Sequence, residues 1–405
     1  MTKDKVMGVY RNDNGLWYYR FTMTVNGQKQ EFRGAKDEFG NPLRTQKQAI
    51  QARDAARRAV HEERYQAQAP ILRRTVKEVY EEYCEKGRTG RAYQTIRKQD
   101  SLWTNHLRER FGNMFVDAIS VAVVNDYLAD LYYNQGFSFR YVESFLKMFY
   151  LIFGQAYSRN YLAMDIYSKL CKNKDTKIHM PAMKDEDDLD IVAFSKEELA
   201  TMDKYFKGTN AETAYLLGKF CGLRINECFG LKWSHVDFNS GTIYIDRQQQ
   251  YQNGLVKLVP VKTRNGKRTV YMNAALREHL EKRYAQEQEN RVKFAAVRKQ
   301  KQRFIEDLDG QFIPSTELVN CLSDGTLQTV NSIKYPSREI KSKLGIKFKY
   351  HYLRHTFGTM MAELNTPQHL LCKIMGHGNI HVTQRYYLAV TPTGEELLKD
   401  KLNQI

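Results

Sequence analysis

Residues 351–358 read His351-Tyr352-Leu353-Arg354-His355-Thr356-Phe357-Gly358. This is a helix start, and i, i+3 spacing puts His351 and Arg354 on one face, so a planar bidentate donor and a titratable imidazole point the same way. Downstream, Met375-Gly376-His377-Gly378-Asn379 leads into Thr383-Gln384-Arg385-Tyr386-Tyr387; the glycines let the backbone turn tightly around His377. Upstream, Gly222-Leu223-Arg224-Ile225-Asn226-Glu227 falls between two helical patterns, with Gly222 able to end the first and Asn226 able to cap the second. Arg224 is then beside a helix N-terminus, a natural anion site, and Glu227 is near enough to orient its guanidinium. Two other readings stay open. Arg224 and Glu227 can be a structural ion pair. His351/His355 and His377/His381 are i, i+4 pairs of the kind that hold zinc, although the metalloprotease pattern needs Glu where Tyr352 stands.

Outward from these motifs the chain predicts three regions. Val6 to Arg11, Leu16 to Val25 and Gln28 to Arg33 read as strands separated by Asn14-Gly15 and Asn26-Gly27, the strongest short hairpin signal. Thr45 and Gln48 form a capping box ahead of a helix to about Tyr65. In the middle strand Trp17, Tyr19, Phe21, Met23 and Val25 share the face suited to the helix, which leaves Tyr18, Arg20, Thr22 and Thr24 outward. That outer face is either simply solvated or a DNA contact, and the chain's charge favours contact. Four helical segments follow at 75–86, 93–110, 118–134 and 139–159, then a polar stretch over 172–190 that reads as an exposed linker. Beyond Ser195, which caps a helix with Glu198 three residues on, come a helix over Ala211 to Cys221 and strands at Thr242 to Asp246, Leu255 to Val261 and Thr269 to Met272. Helices dominate from there to the end. The segment 281–303 lacks an apolar stripe and reads as a solvated charged helix. The expected fold is multidomain and mainly α with small antiparallel sheets: 1–70 a three-stranded sheet plus helix, 75–180 a four-helix bundle, and 190–405 a mixed α+β domain with a C-terminal tail helix over Glu395 to Leu402.

The 405 residues carry 63 Lys and Arg against 46 Asp and Glu, a net +17. The excess runs through the chain, with 13 basic to 8 acidic residues over 1–70, 17 to 12 over 71–180 and 33 to 26 over 181–405. A single basic tail is excluded, and a polyanion partner is implied. The six cysteines form no C-x-x-C pair, which suits reduced thiols in the cytoplasm. The start, Met1-Thr2-Lys3-Asp4-Lys5, leads into no apolar run, and Met148 to Phe153 is too short to span a bilayer, so neither secretion nor membrane insertion is expected.

Four ordered motifs over more than 160 residues resemble those of the tyrosine site-specific recombinases, or phage-type integrases, especially those of conjugative transposons. They are C-G-L-R-I-N-E-C-F-G-L-K-W (221–233), V-K-T-R-N-G-K-R-T-V (261–270), H-Y-L-R-H-T-F (351–357) and M-G-H-G-N-I-H-V-T-Q-R-Y (375–386). The resemblance implies that Tyr386 is the nucleophile, that Arg224 and Arg354 bind the scissile phosphate, that Lys262 lies in a sheet hairpin reaching the cleavage site, and that His351 and His377 complete the set. It also implies an arm-site-binding domain at 1–70 and a core-binding domain at 75–180; within the first, the outward Tyr18, Arg20 and Thr22 that charge favours for contact are the expected DNA-binding residues. Three departures stand out: Tyr387 directly follows the proposed nucleophile, Gly358 stands where Ala is commoner, and the span from Lys262 to His351 is long, which leaves 281–330 without a role.

The chemistry suits those roles. Cleaving a phosphodiester puts negative charge on non-bridging oxygens that two guanidinium forks can hold, and a phosphotyrosine ester conserves the bond for rejoining. Lysine can protonate the departing 5′ oxygen. No nucleotide or metal cofactor is expected. Exchange of two duplexes needs four strands cut, hence a homotetramer on double-stranded DNA, passing through a Holliday junction, with an excisionase or a host DNA-bending protein as possible company. The rival activities are type IB topoisomerase-like relaxation, told apart by recombinants on two-site DNA, and a DNA-binding regulator without chemistry, told apart by a covalent adduct.

Overall fold

A computed structural model describes residues 8–25, 28–37, 40–68, 71–184, 191–388 and 402–403. The chain divides into two compact units, residues 1–188 and 189–405. The first begins with an antiparallel sheet of β1 (Val9–Arg11), β2 (Trp17–Val25) and β3 (Gln28–Gly34), in register Val9↔Tyr19 and Phe21↔Phe32. Helix α1 (Gln46–Gln68) packs on it through Ala49 and Ile50, with Val9, Leu43, Trp17 and Tyr19. The Thr45 hydroxyl accepts from the Gln48 amide at 3.2 Å and the Gln48 side chain accepts from the Thr45 amide at 3.1 Å, the expected capping box. The alternation in β2 also holds: Phe21 is buried while Arg20 and Thr22 are exposed. The first connection is longer than a two-residue turn. Arg11 pairs with Trp17, and the Gly15 amide donates to the Asn12 carbonyl, so Gly15 at φ +78° closes a wider loop. Val6 and Asn26-Gly27 lie outside the described residues.

The bundle holds α2 (Val76–Glu82), α3 (Tyr93–Leu102), α4 (Arg108–Phe111), α5 (Val121–Ala129), α6 (Phe139–Ser158) and α7 (Met164–Tyr167). A widened π turn, Trp103–Leu107, joins α3 to α4, and another, Asp130–Asn134, extends α5, so the four expected segments are present. Helix α6 is the central post: Val142, Phe145, Phe149, Ile152 and Phe153 follow helical spacing and are all buried, against Phe111 and Tyr127. The linker expectation needs correction. Ile178 is fully buried in the bundle, Tyr150 donates to its carbonyl at 2.7 Å, and the Lys184 amide donates to the Tyr132 hydroxyl at 2.8 Å. Two apolar anchors, Ile178 and Met180, hold a strap whose average composition is polar. Residues 185–190 lie outside the described residues.

The second unit opens with α8 (Lys196–Phe206), α9 (Glu212–Cys221) and α10 (Ile225–Phe229). Strands β4 (Val236–Asp237), β5 (Thr242–Ile245), β6 (Arg247–Gln252), β7 (Leu255–Pro260) and β8 (Arg268–Tyr271) follow. Then come α11 (Ala274–Lys293), α12 (Ala295–Lys301), β9 (Phe304–Glu306), β10 (Phe312–Pro314), α13 (Lys334–Leu344), α14 (Tyr350–Glu363), α15 (Gln368–Met375) and α16 (Ile380–Leu388). One sheet has the order β4-β5-β8 and is antiparallel; the other has the order β10-β9-β7-β6, with a single parallel pairing between β7 and β9. Strands β4, β6, β9 and β10 are not among the expected strands. Yet Asn253-Gly254, both at positive φ, makes the two-residue turn between β6 and β7.

The charged segment 281–303 is not simply solvated. Buried Arg298 grips buried Glu287 with two bonds of 2.8 and 2.9 Å, and its Nε donates to the Ser323 carbonyl at 2.9 Å. Arg283 donates to the Cys321 carbonyl. One face of α11 and α12 therefore clamps the loop around 321–325 through charge rather than apolar contact. The unit's main core joins α9 to α14, where Gly218 allows close approach: a Cβ there would lie 2.9 Å from Leu353. The tail helix expected over Glu395 to Leu402 lies outside the described residues, Leu402 excepted.

Candidate active site

Helix α9 stops at Gly222, which sits at φ +58° with Phe357 so close that a Cβ would lie 2.6 Å from its ring. The chain then turns, Leu223 is buried, and Arg224 becomes the residue that precedes α10. Asn226 is therefore not the cap. The cap interaction comes from Glu227, whose carboxylate accepts from the Arg224 amide at 3.0 Å and from the Arg224 guanidinium at 2.7 Å. A glutamate three residues in reaches back to the first amide, which leaves a short Asn side chain nothing to do there.

Buried Glu227 also takes both Nη atoms of buried Arg268, at 3.1 and 2.8 Å. From this pair the site spreads to the C-terminus of α15. Arg268 Nε donates to the Ile374 carbonyl at 2.6 Å, Arg354 Nη2 to that of Met375, and Arg224 Nη2 to that of Gly376 at 3.2 Å. Three successive carbonyls at the negative end of a helix thus each receive a different guanidinium. Arg354, 2% exposed, spends its other Nη on the Gly222 carbonyl at 2.7 Å, which ties α14 to the turn before α10.

Gly376, at φ +63°, reverses the chain so that buried His377 faces α16, where its Nδ1 pairs with the Thr383 hydroxyl at 2.8 Å. Tyr386, 3% exposed, lies ring-parallel to His377 at a centroid distance of 6.1 Å. Its hydroxyl is 3.1 Å from His355 Nδ1. Tyr387 points elsewhere and donates to the Thr366 carbonyl. His351 is exposed, with its ring edge-on to His355 at 4.6 Å.

Gly358, the departure noted in the sequence, is the floor beneath Tyr386. A Cβ there would lie 2.8 and 2.9 Å from two Tyr386 ring carbons and 3.1 Å from Met375 Cε. Ala for Gly inside a helix ordinarily stabilises by up to about 1 kcal/mol. Here the sign reverses: Gly358→Ala is expected to cost about 1–3 kcal/mol in urea unfolding, the price of overpacking. A more stable variant would mean that the ring does not rest there in solution.

Lys262 corrects a second expectation. Strands β7 and β8 belong to different sheets, so 261–267 is a connection between sheets and not a hairpin turn. The turn Arg264–Gly266 fixes its shape, and Asn265 Nδ2 donates to the His377 carbonyl at 3.2 Å, which docks the loop on the site. Lys262 is exposed and has no ion-pair partner among the described residues.

Electrostatics set the protonation states. Burial alone would raise the Glu227 carboxyl, but Arg268 and then Arg224 outweigh it and hold it well below the usual range. Burial, then Arg224 and Arg268, bring Arg354 down to about 9, which leaves it charged at neutral pH. Burial foremost, with the nearby guanidiniums, lowers His377 to about 3; burial, then His351 and Arg354, lowers His355 to about 4. Burial raises the Tyr386 phenol against the pull of Arg354 and Arg224. Around pH 7 the centre holds charged guanidiniums, neutral imidazoles and a protonated tyrosine.

Arg224, Arg354, His377, Tyr386 and Glu227 are brought together, and His351 borders them. Two participants were missed. Arg268 shares a strand face with buried Val270, and a charge on an apolar face is the signal that could have found it. His355 was read only as half of a zinc pair. Among the described residues no group of three or more His, Cys, Asp or Glu could hold a metal ion, and His381 pairs with Gln384 at 2.8 Å. In the first unit, Tyr18 stacks on Tyr10 with centroids 5.4 Å apart, Arg33 lies 4.5 Å over the Tyr18 ring, and exposed Arg20 pairs with Glu31 at 2.6 Å beside exposed Thr22.

The fold and this arginine, histidine and tyrosine centre define a class. The phage integrase family model matches residues 190–392, half of the chain, and the chain belongs to that family, the tyrosine recombinases, which break and rejoin DNA. A tyrosine recombinase XerC-like protein of Caldanaerobacter subterraneus subsp. tengcongensis is 25% identical over 319 residues, 75% of this chain and 77% of that protein. An integrase of the transposon Tn1549, solved in complex with transposon right end DNA, superposes with a TM-score of 0.62 at 18% identity, covering 80% of this chain and 100% of that one. A lambda integrase dimer bound to a COC′ core site gives 0.50 at 13% identity over 96% of each chain. These structures share the fold, including the mainly helical build with small sheets. No helix among the described residues is long and apolar enough to cross a membrane.

Proposed function

We propose that this chain is the integrase of a mobile genetic element, cutting double-stranded DNA through a 3′-phosphotyrosyl link at Tyr386, exchanging strands through a Holliday junction as a homotetramer, and so integrating and excising the element. The observation that supports this best is the seating of the Tyr386 hydroxyl within one cluster with Arg354, Arg224 and His377. Arg224 and Arg354 hold the scissile phosphate, Glu227 positions Arg224, and His351 and His377 border the reacting oxygens. Residues 1–70 bind arm sites through Tyr18, Arg20 and Thr22, residues 75–180 bind core DNA, and residues 190–405 carry the chemistry, in the cytoplasm. An excisionase or host DNA-bending protein fits the scheme as a partner.

The test is covalent trapping on a nicked duplex made from the ends of the element that encodes the chain. Because guanidiniums supply the positive charge at the phosphate, adduct formation is expected to persist within about a factor of two in excess EDTA. Complete loss that zinc restores would return the histidine pairs to a metal role. For Lys262 as the acid that protonates the 5′ oxygen, Lys262→Ala is expected to slow cleavage by roughly 10²–10⁴-fold on normal DNA and to recover on a 5′-bridging phosphorothiolate, whose sulfur leaves without a proton. No recovery would assign Lys262 to binding, or the acid to Lys267.

A further inference from the structure

We propose that His355 takes the proton from the Tyr386 hydroxyl as that oxygen attacks phosphorus. The proposal rests on the reading of Tyr386 as the nucleophile, and geometry carries it. His355 Nδ1 lies 3.1 Å from the Tyr386 hydroxyl, the sole hydrogen bond that the phenol makes among the described residues. The other two histidines are placed for different tasks. His377 commits Nδ1 to Thr383 and meets Tyr386 ring to ring, and His351 is exposed at the rim.

Helix α14 builds acceptor and seat together. His355 and Gly358 are three residues apart on it, so one face presents the imidazole to the phenol oxygen while the missing side chain admits the ring. With its hydrogen on Nε2, His355 accepts from the phenol at Nδ1. Burial and the neighbouring His351 and Arg354 keep the ring uncharged, and so free to accept.

The step balances. The Tyr386 O–H bond breaks as an N–H bond forms on His355, and the freed electron pair makes the O–P bond. The P–O5′ bond breaks, and the leaving oxygen takes a proton from the acid assigned to Lys262. Rejoining runs the same transfers backwards and returns the proton to Tyr386. A bound phosphate also tunes the acceptor, since its negative charge opposes the influence of Arg354, which adds to burial and His351 in making His355 a weak base. The nucleophile is therefore activated where a phosphate is already seated.

The experiment uses the full chain on the nicked duplex. His355→Gln and His355→Ala are expected to form adduct 10²–10⁴-fold more slowly, the usual reach of a general base, with DNA affinity and melting temperature retained. Replacing Tyr386 by a trifluorotyrosine, whose phenol is more acidic, is expected to restore most of that rate in His355→Ala. Adduct formation in His355→Gln at the unsubstituted rate or faster would overturn the proposal, as would a loss that the fluorinated phenol does not repair. An adduct that persists in Tyr386→Phe would instead remove the nucleophile assignment, so the two failures are distinct.

Discussion

Tyr386→Phe is expected to bind element-end DNA normally and to form no covalent adduct, a loss on the order of 10⁶-fold, the scale reached when an enzyme loses its nucleophile. Phenylalanine keeps the ring that rests on Gly358 and faces His377, so fold and affinity should hold. The control is built into the chain. Tyr387 neighbours it in sequence but donates to the Thr366 carbonyl and is pushed up by burial, which is a packing role. Tyr387→Phe should lose that one bond, about 1 kcal/mol of stability, and keep adduct formation. Peptide mapping of the DNA-linked fragment decides between them, and linkage at Tyr387 would sink the assignment.

Glu227→Gln is expected to weaken folding strongly, although every side chain proposed to hold the phosphate is retained in the sequence. It removes the carboxylate shared by Arg224 and Arg268 and leaves Arg268, 5% exposed, with a buried charge and no counterion among its described partners. Breaking a buried pair from one side costs about 3–5 kcal/mol. The pH dependence follows from the depressed Glu227 carboxyl. Its contribution is complete above the unfolded carboxylate value of about 4.3 and is lost as pH falls through its lower folded value. The gap between the native chain and Glu227→Gln should therefore be widest at neutral pH and close on acidification. Urea unfolding at pH 7 and near pH 3 measures both. A difference below about 1 kcal/mol at pH 7, the scale of an exposed pair, would show that Glu227 is not a structural counterion.

What could be read from the sequence was chemistry tied to short spacing. Gly222 before Arg224, Gly376 before His377 and the capping boxes at Thr45 and Ser195 are local, and each side chain acts within a few residues of itself. Arg224 at the N-terminus of α10 is off by a cap: the competing principle was the reach of a glutamate back over one turn, which displaced Asn226. What failed depends on distance in the chain. The contact between His355 and Tyr386 spans 31 positions, and nothing in either motif requires it until α14 and α16 pack. Arg268 and Glu227 meet only when β8 passes α10. Ile178 was hidden by averaging over its polar neighbours. Asn253-Gly254 carried the same turn signal that was used near the N-terminus, and there the information was present.

The turn over Ile374, Met375 and Gly376 has a wider thermodynamic meaning. Arg268, Arg354 and Arg224 converge there, and Glu227 is the carboxylate that answers them. The helix carbonyls soften the mutual repulsion of these guanidiniums without cancelling it, so a backbone phosphate that binds among them is favoured electrostatically. Folding and occupancy are then linked quantities: DNA that binds only the native state adds RT ln(1 + [L]/Kd) to its stability. Molecules on their sites become the long-lived ones, while the unoccupied fraction opens more often and is the fraction that proteases remove.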